Sequence, residues 1–297
     1  MPLQSYIWGP MRLPFLMLPP VCVFLGLASA VWTTGRVNTL YAVLALIGAL
    51  AAHISVNALN EYHDVKSGLD FKTPKTPFSG GSGTLPRHPE KAHVALITGL
   101  AAFFITGLVG LYFVMVRDIL LLPLGILGLV IMGTYTIWIT RNPYLCLIAP
   151  GLGFGPLMVM GTDYVLTGTY SWSGFVASLI PFFLVSNLLL LNQFPDIDAD
   201  RSVGRKHILI TYGMKTGITI YGVFLLATYI SIIAGVICGV MPAYCLMGLA
   251  SVLLAVPAFI GVSRHARNLE KLIPFMGFNV IINLATPVLV GIGFLIG

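Results

Sequence analysis

The sequence predicts an all-α integral membrane protein: nine transmembrane helices bundled as one domain over residues 1–297, N-terminus in the cytoplasm. Three observations lead there. The 297 residues are 57% hydrophobic and only 9% charged, whereas a soluble domain carries about 25% charged residues. Nine apolar runs are each long enough to cross a bilayer. The basic residues between those runs alternate from side to side.

The runs fall near 13–33, 39–61, 92–115, 119–139, 143–163, 173–194, 214–238, 242–262 and 273–296. In lipid, backbone polar groups must be satisfied internally, and runs this continuous do so as helices. The first run ends in Ala28-Ser29-Ala30, which matches a signal-peptide cleavage pattern. Only Arg12 precedes that run and the rest of the chain is equally apolar, so a retained helix is expected.

With the N-terminus inside, fourteen of the 16 Lys and Arg fall on the cytoplasmic side. Only Arg36 and Arg117 fall outside. This asymmetry sets orientation. The formal net charge of +6 is therefore topological, and no nucleic-acid partner is expected. The four cysteines, Cys22, Cys146, Cys238 and Cys245, lack metal-ligand spacing and read as small buried hydrophobes.

Two cytoplasmic loops stand out, 62–91 and 195–213. The first contains "TPKTPFSGGSGTLP" (73–86), which cannot continue a helix. It reads either as a flexible connector or as a cap whose glycines bring backbone N–H groups close to a phosphate.

Six of the ten acidic residues sit in two short stretches. In "NALNEYHDVKSGLD", Asn57, Asn60 and Asp64 share one helical face; Gly68 can end the helix, and Asp70 lies just beyond. Glu61 follows Asn60, and His63, beside Asp64, reads either as a metal-site neighbour or as a neutral histidine at a solvated helix end. In "NQFPDIDAD", Asn192, Asp196 and Asp200 share a face while Asp198 points elsewhere, and Pro195 loosens the helix before them. Clustered carboxylates at a low-dielectric boundary repel unless cations sit between them. Hard carboxylate and amide oxygens suit Mg²⁺, which usually bridges carboxylates to a substrate phosphate. Lys66, Lys72, Lys75, Arg201, Arg205 and Lys206 lie nearby in sequence and suit the remaining anionic charge. The residues thus point to a diphosphate bound through metal at the mouth of a helical bundle.

The stretch Asn57 to Asp70, with the Asp196–Asp200 pair and its following Arg and G-R-K run, resembles the UbiA-type intramembrane prenyltransferases. The nearest branch is the 1,4-dihydroxy-2-naphthoate polyprenyltransferases of menaquinone synthesis. The resemblance implies a bundle around a central cavity, with the two aspartate motifs facing each other under a cap. It implies Mg²⁺ on the diphosphate of a polyprenyl donor, ionisation to an allylic cation, and attack by an aromatic acceptor. Carried over by position, Asn60, Asp64 and Asp70 form one metal site and Asp196 and Asp200 the other, with Asn57 and Asn192 in support. Asp64, Asp196 and Asp200 are then the expected catalytic residues.

Tyr62, Tyr135, Trp138, Tyr144 or Phe194 could face the cation through a ring, or simply pack. "GTYT" (133–136), "PY" (143–144) and the glycines of "GLGFGP" (151–156) look like the naphthoate branch. Glu61 stands where much of the family has Asp, and Phe154 where that branch often has an acid. His53 reads as a packed neutral residue or an acceptor contact. Asn279 and Asn283 read as a helix–helix contact or a cavity face.

Other acceptors are compatible with the residues: 4-hydroxybenzoate, homogentisate, a porphyrin or a glyceryl-phosphate lipid. A secondary transporter would also use intramembrane carboxylates, but near the midplane and in inverted repeats. Here they lie at cytoplasmic helix ends. The expected location is the plasma membrane, with the site facing the cytoplasm.

Overall fold

A computed structural model describes residues 3–73, 75–78 and 80–297. Among these residues every regular element is helical. In chain order they are α1 (Leu3–Met11), α2 (Leu18–Thr34), α3 (Thr39–Ser67), α4 (Ala92–Val116), α5 (Leu122–Thr134), α6 (Pro143–Leu152), α7 (Gly161–Thr167), α8 (Trp172–Asn192), α9 (Ile197–Ser202), α10 (Ile208–Ile237), α11 (Val252–His265) and α12 (Leu269–Ile296). Short 3-10 turns join several of them, and a π-helical stretch, Gly153–Met160, fuses α6 to α7.

Eight helical segments among the described residues are long and apolar enough to cross a bilayer. Ile97, Phe104, Leu108 and Met115 of α4 turn outward and are strongly exposed, as lipid-facing side chains are. The chain is a multi-pass membrane protein. The fourth expected span, 119–139, is shorter than its apolar run: a 3-10 turn leads into the 13-residue α5, which stops at Thr134. Residues 135–141 then turn sharply, with Thr140 N–H donating to Tyr135 O at 3.0 Å. Hydropathy alone does not register such a turn.

The helix α8 lies centrally, packed against α10, α12, α2, α6 and the π-helical stretch. Gly151 and Gly155 allow the closest of these approaches: a Cβ at either would collide with the carbonyl oxygens of Phe182 or Ser178 on α8. Small residues at such crossings drive helix packing where water supplies no hydrophobic force. Leu184, Leu191, Tyr221, Ile232 and Ile282 fill the core around α8. Asn279 accepts from Tyr221 Oη at 3.1 Å, and Asn283 Nδ2 donates to Asn279 O at 2.8 Å. Asn279 therefore joins α10 to α12, Asn283 bonds back within α12, and neither lines a cavity described below. Cys22, Cys146 and Cys245 are buried as expected, whereas Cys238 is exposed because it caps the free end of α10.

Candidate active site

The helix α3 runs without interruption to Ser67, and Gly68 closes it in the left-handed region at φ 77°. The Gly68 N–H donates to Asp64 O and Val65 O. This carries Asn57, Asn60 and Asp64 on one helix, and places Asp70 in the 3-10 turn that follows. The second stretch is built otherwise. Asn192, Asp196 and Asp200 do not share one continuous helix, because α8 ends at Asn192. Residues 193–196 form a turn around Pro195, and the six-residue α9 starts at Ile197. Proline removes a helical donor and clashes with the preceding turn, which accounts for the break.

Both routes end in one polar chamber of about 110 Å³. Asn60, Asp64, Asp70, Asn192, Asp196 and Asp200 all line it, with Arg205, Tyr135 and the backbone of Gly80 and Gly81. Arg205 spans the two motifs: Nη2 donates to Asp64 Oδ1, and Nη1 donates to Asp200 Oδ1 at 3.0 Å. Burial works against the charge of Arg205, but Asp64 and Asp200 outweigh it and raise its pKa. Among the described residues Asp70 has no such partner; its Oδ2 is buried without a hydrogen bond. Burial, reinforced by the charges of Asp64 and Glu61, pushes its pKa up to about 7.

Beneath the chamber lies an apolar cavity of about 480 Å³, walled by α3, α4, α5 and the α6–α7 segment. Arg12, Asn60, Tyr135 and Leu189 line both spaces, so the two meet there. The early end of α5 thus swings Tyr135 and Thr140 to the chamber. His53 and Phe154 line the cavity edge to face, with ring centres 5.1 Å apart. Asn57 also faces the cavity, and its Nδ2 donates to Met11 O at 3.2 Å.

Several participants were not expected. Arg12 donates from Nε to Glu61 Oε1 at 2.9 Å and from Nη2 to Asn60 Oδ1 at 3.0 Å. It is the one non-glycine residue among those described with positive φ (52°). That conformation costs about 1–2 kcal/mol for a residue with a Cβ, so surrounding contacts must hold it. His207, Gln193 and Thr140 complete the chamber wall, and His207 Nε2 lies 3.3 Å from Asp200 Oδ2. Arg12 had read only as a flanking charge. Its sequence signal is slight: the single charge before residue 36, set between Pro10 and Pro14.

Other expected residues lie apart from the chamber. Lys66 sits over the Tyr62 ring, 5.9 Å from its centre, and Tyr62 packs against His63. Lys72 Nζ donates to Ser202 Oγ at 3.3 Å, tying the first loop to α9. Lys75 Nζ donates to Ser82 O at 2.6 Å. Exposed Arg201 lies 3.5 Å from Asp198, whose side chain is 97% exposed. Lys206 is exposed, and its backbone N–H donates to Thr140 O at 2.9 Å. Among the aromatics, Trp138 and Tyr144 are exposed and Phe194 is part of the core.

The donor set suits a hard divalent cation: carboxylates and amides around one small chamber, with one carboxylate oxygen unpartnered. Among the described residues no three His, Cys, Asp or Glu side chains are arranged to hold a metal on their own. The protein oxygens therefore fit a cation that completes its shell with substrate oxygens and water, as Mg²⁺ commonly does.

Residues 17–281 match the sequence model of the UbiA prenyltransferase family. A 1,4-dihydroxy-2-naphthoate octaprenyltransferase of Bacillus subtilis is 29% identical over 222 residues, covering 74% of this chain and 70% of that protein. The ligand-free structure of a UbiA homologue from Aeropyrum pernix K1 superposes with a TM-score of 0.71 at 18% identity, covering 100% of this chain and 98% of that one. A UbiA homologue from Archaeoglobus fulgidus, solved with DMAPP and Mg²⁺, has a TM-score of 0.66 at 13% identity, covering 96% and 99%.

Proposed function

The chain belongs to the UbiA prenyltransferase family, and we propose that it transfers a polyprenyl group from its diphosphate to 1,4-dihydroxy-2-naphthoate in menaquinone biosynthesis. It is a prenyltransferase; the acceptor, the metal and the site residues are our reading. The observation that carries this reading is the junction of two unlike spaces. An aspartate-lined chamber fits a diphosphate with its cations, and the apolar cavity that meets it fits a prenyl tail. The naphthoate acceptor rests on the named activity of the Bacillus subtilis relative.

Asp64, Asp70, Asp196 and Asp200, with Asn60, would hold Mg²⁺, and Asn192 would support them. Bound there, Mg²⁺ would neutralise the diphosphate and stabilise the charge it gains on leaving. Arg205 adds a guanidinium beside the same oxygens. The dry walls of the cavity keep water from the allylic cation. Tyr135, at the junction, is the ring best situated to face that cation. We further propose nine membrane passes, α5 being the short one, an N-terminus in the cytoplasm, and a site open to the cytoplasmic face of the plasma membrane.

The test is turnover by the purified protein with a polyprenyl diphosphate and a panel of acceptors, read by mass spectrometry with Mg²⁺ or with chelator. The expected product is the prenylated naphthoate, formed only with the divalent cation. Turnover restricted to another acceptor would reject the naphthoate reading and keep the donor chemistry. Turnover undiminished in chelator would reject the metal.

A further inference from the structure

Glu61 occupies a position from which it could reach the chamber, yet both its oxygens are committed elsewhere. Oε1 accepts from Arg12 Nε at 2.9 Å and from the Ser82 backbone N–H at 2.5 Å, and Oε2 accepts from Ser82 Oγ at 2.9 Å. Its side chain is fully buried. One carboxylate thus joins three segments far apart in sequence: the turn after α1, the α3 helix, and the loop of residues 80–84.

That loop is shaped to lie close. Gly80, Gly81 and Gly83 all adopt positive φ, at 84°, 66° and 70°. A Cβ at Gly81 would stand 3.0 Å from Glu61 Oε1 and 3.2 Å from Asp70 Oδ1. The loop backbone therefore rests directly on the carboxylates, and Gly80 and Gly81 form part of the chamber wall. From the other side, Gly9 of α1 abuts Thr84, and the Tyr6 and His88 rings meet edge to face at 5.2 Å.

We propose that Arg12, Glu61 and Ser82 form a latch that positions the 80–84 loop over the aspartate chamber, with Glu61 serving the latch and not the metal. Arg12 is a positioning residue: its backbone is held in an unfavourable conformation so that its guanidinium can reach Glu61 and Asn60 together. The inference deepens the functional reading above and rests on it for the identity of what the loop covers.

The experiment uses the full chain in detergent, with Glu61→Gln, Glu61→Asp, Arg12→Gly and Arg12→Lys. Hydrogen exchange of the 80–84 amides is followed without substrate, and divalent affinity is followed with Mn²⁺ by electron paramagnetic resonance. Glycine accepts φ 52° without strain, so Arg12→Gly removes the guanidinium alone. In Glu61→Gln and Arg12→Gly, exchange at Ser82 is expected to rise by about tenfold or more, the scale of a lost charge-assisted hydrogen bond. Arg12→Lys keeps the charge without the fork and should restore part of the protection. The KM for prenyl diphosphate should rise by more than kcat falls.

Glu61→Asp keeps the charge but is one methylene short, so it should open the loop while sparing Mn²⁺ affinity. Unchanged exchange in both Glu61→Gln and Arg12→Gly would overturn the latch. So would a loss of Mn²⁺ affinity in Glu61→Gln as large as that in Asp64→Asn, which would make Glu61 a ligand. Exchange is read without turnover, so failure of the wild type to prenylate any acceptor would sink the functional reading and leave this result standing.

Discussion

On α3 the first motif rides an unbroken helix to Gly68, and its side chains find partners from distant segments: Arg12, Thr136, Ser82 and Arg205. The second motif breaks at Pro195 and mixes distant contacts, such as Gln193 Nε2 to Cys146 Sγ and Lys72 to Ser202, with local ones at Asp200. Asp200 is held by Arg205, five residues on, through both side chain and backbone, and His207 stands beside it. The first motif's side chains are held by the fold, whereas Asp200 of the second is held largely by its own sequence neighbours. Substitutions in the first should therefore disturb the cap loop and the cavity entrance as well as the chemistry. Substitutions in the second should act on the chemistry with less spread. Arg205 is the exception, since it belongs to the second motif by sequence and to both by contact.

The largest effect is expected from removing a carboxylate from either side. Asp64→Ala and Asp196→Ala should each lower kcat by on the order of a thousandfold, the scale of losing a group that stabilises developing charge. Steady-state prenylation checks this. Hydrogen exchange then compares the two: Asp64→Ala should loosen the segment of its partner Arg205, and more widely than Asp196→Ala. Equal spread in both variants would break the comparison.

Arg205→Ala comes next. It strips the shared partner from Asp64 and Asp200, whose side chains are 7% and 5% exposed. Leaving buried carboxylates unpaired costs about 3–5 kcal/mol. The melting temperature in chelator should fall, and Mg²⁺ should recover more of it in Arg205→Ala than in the wild type. Equal recovery would mean that the guanidinium and the cation do not serve the same carboxylates.

How much of this was legible follows the same division. The end of α3 was readable because a glycine and a spacing carry it locally. Pro195 signalled the loosened second motif, but not that the chain would turn and restart as α9. The glycines of 80–83 left connector and cap equally open, since composition does not show where a loop rests. Arg12 was unreadable in its role: its partners lie 48 and 49 residues away, and a lone arginine before an apolar run looks like a membrane anchor. The short α5 was hidden because residues 135–139 are apolar enough to extend the run.

Asp70 tests the first motif by pH. Its pKa is raised to about 7, first by burial, so over the range from the ordinary carboxylate value to about 7 the folded metal-free protein holds a proton that the unfolded chain has lost. Folded stability without metal should therefore fall as pH rises through that window. Divalent affinity should do the reverse, weakening as pH drops below about 7 and the carboxyl takes up its proton. In Asp70→Asn both dependences should flatten. Titration of Mn²⁺ binding between pH 5.5 and 8.5, roughly bracketing that pKa, is the measurement. An unchanged profile would remove Asp70 from the site.

The smallest effect is expected at Asp198. It lies between Asp196 and Asp200, and successive helical positions two apart face away from each other. Its side chain is 97% exposed, and its ion-pair partner, Arg201 at 3.5 Å, is itself exposed. Exposed ion pairs contribute little, so Asp198→Asn should change kcat/KM by less than about twofold. Asp200→Asn, two residues on in the same short helix, removes a carboxylate held by Arg205 and should cost far more. The pair of variants shares a helix, a charge and a substitution, and differs in the side chain's direction and hence in its burial and partners. A loss at Asp198 comparable to that at Asp200 would mean that α9 presents its other face to the diphosphate, and the locally held geometry of Asp200 would have to be redrawn.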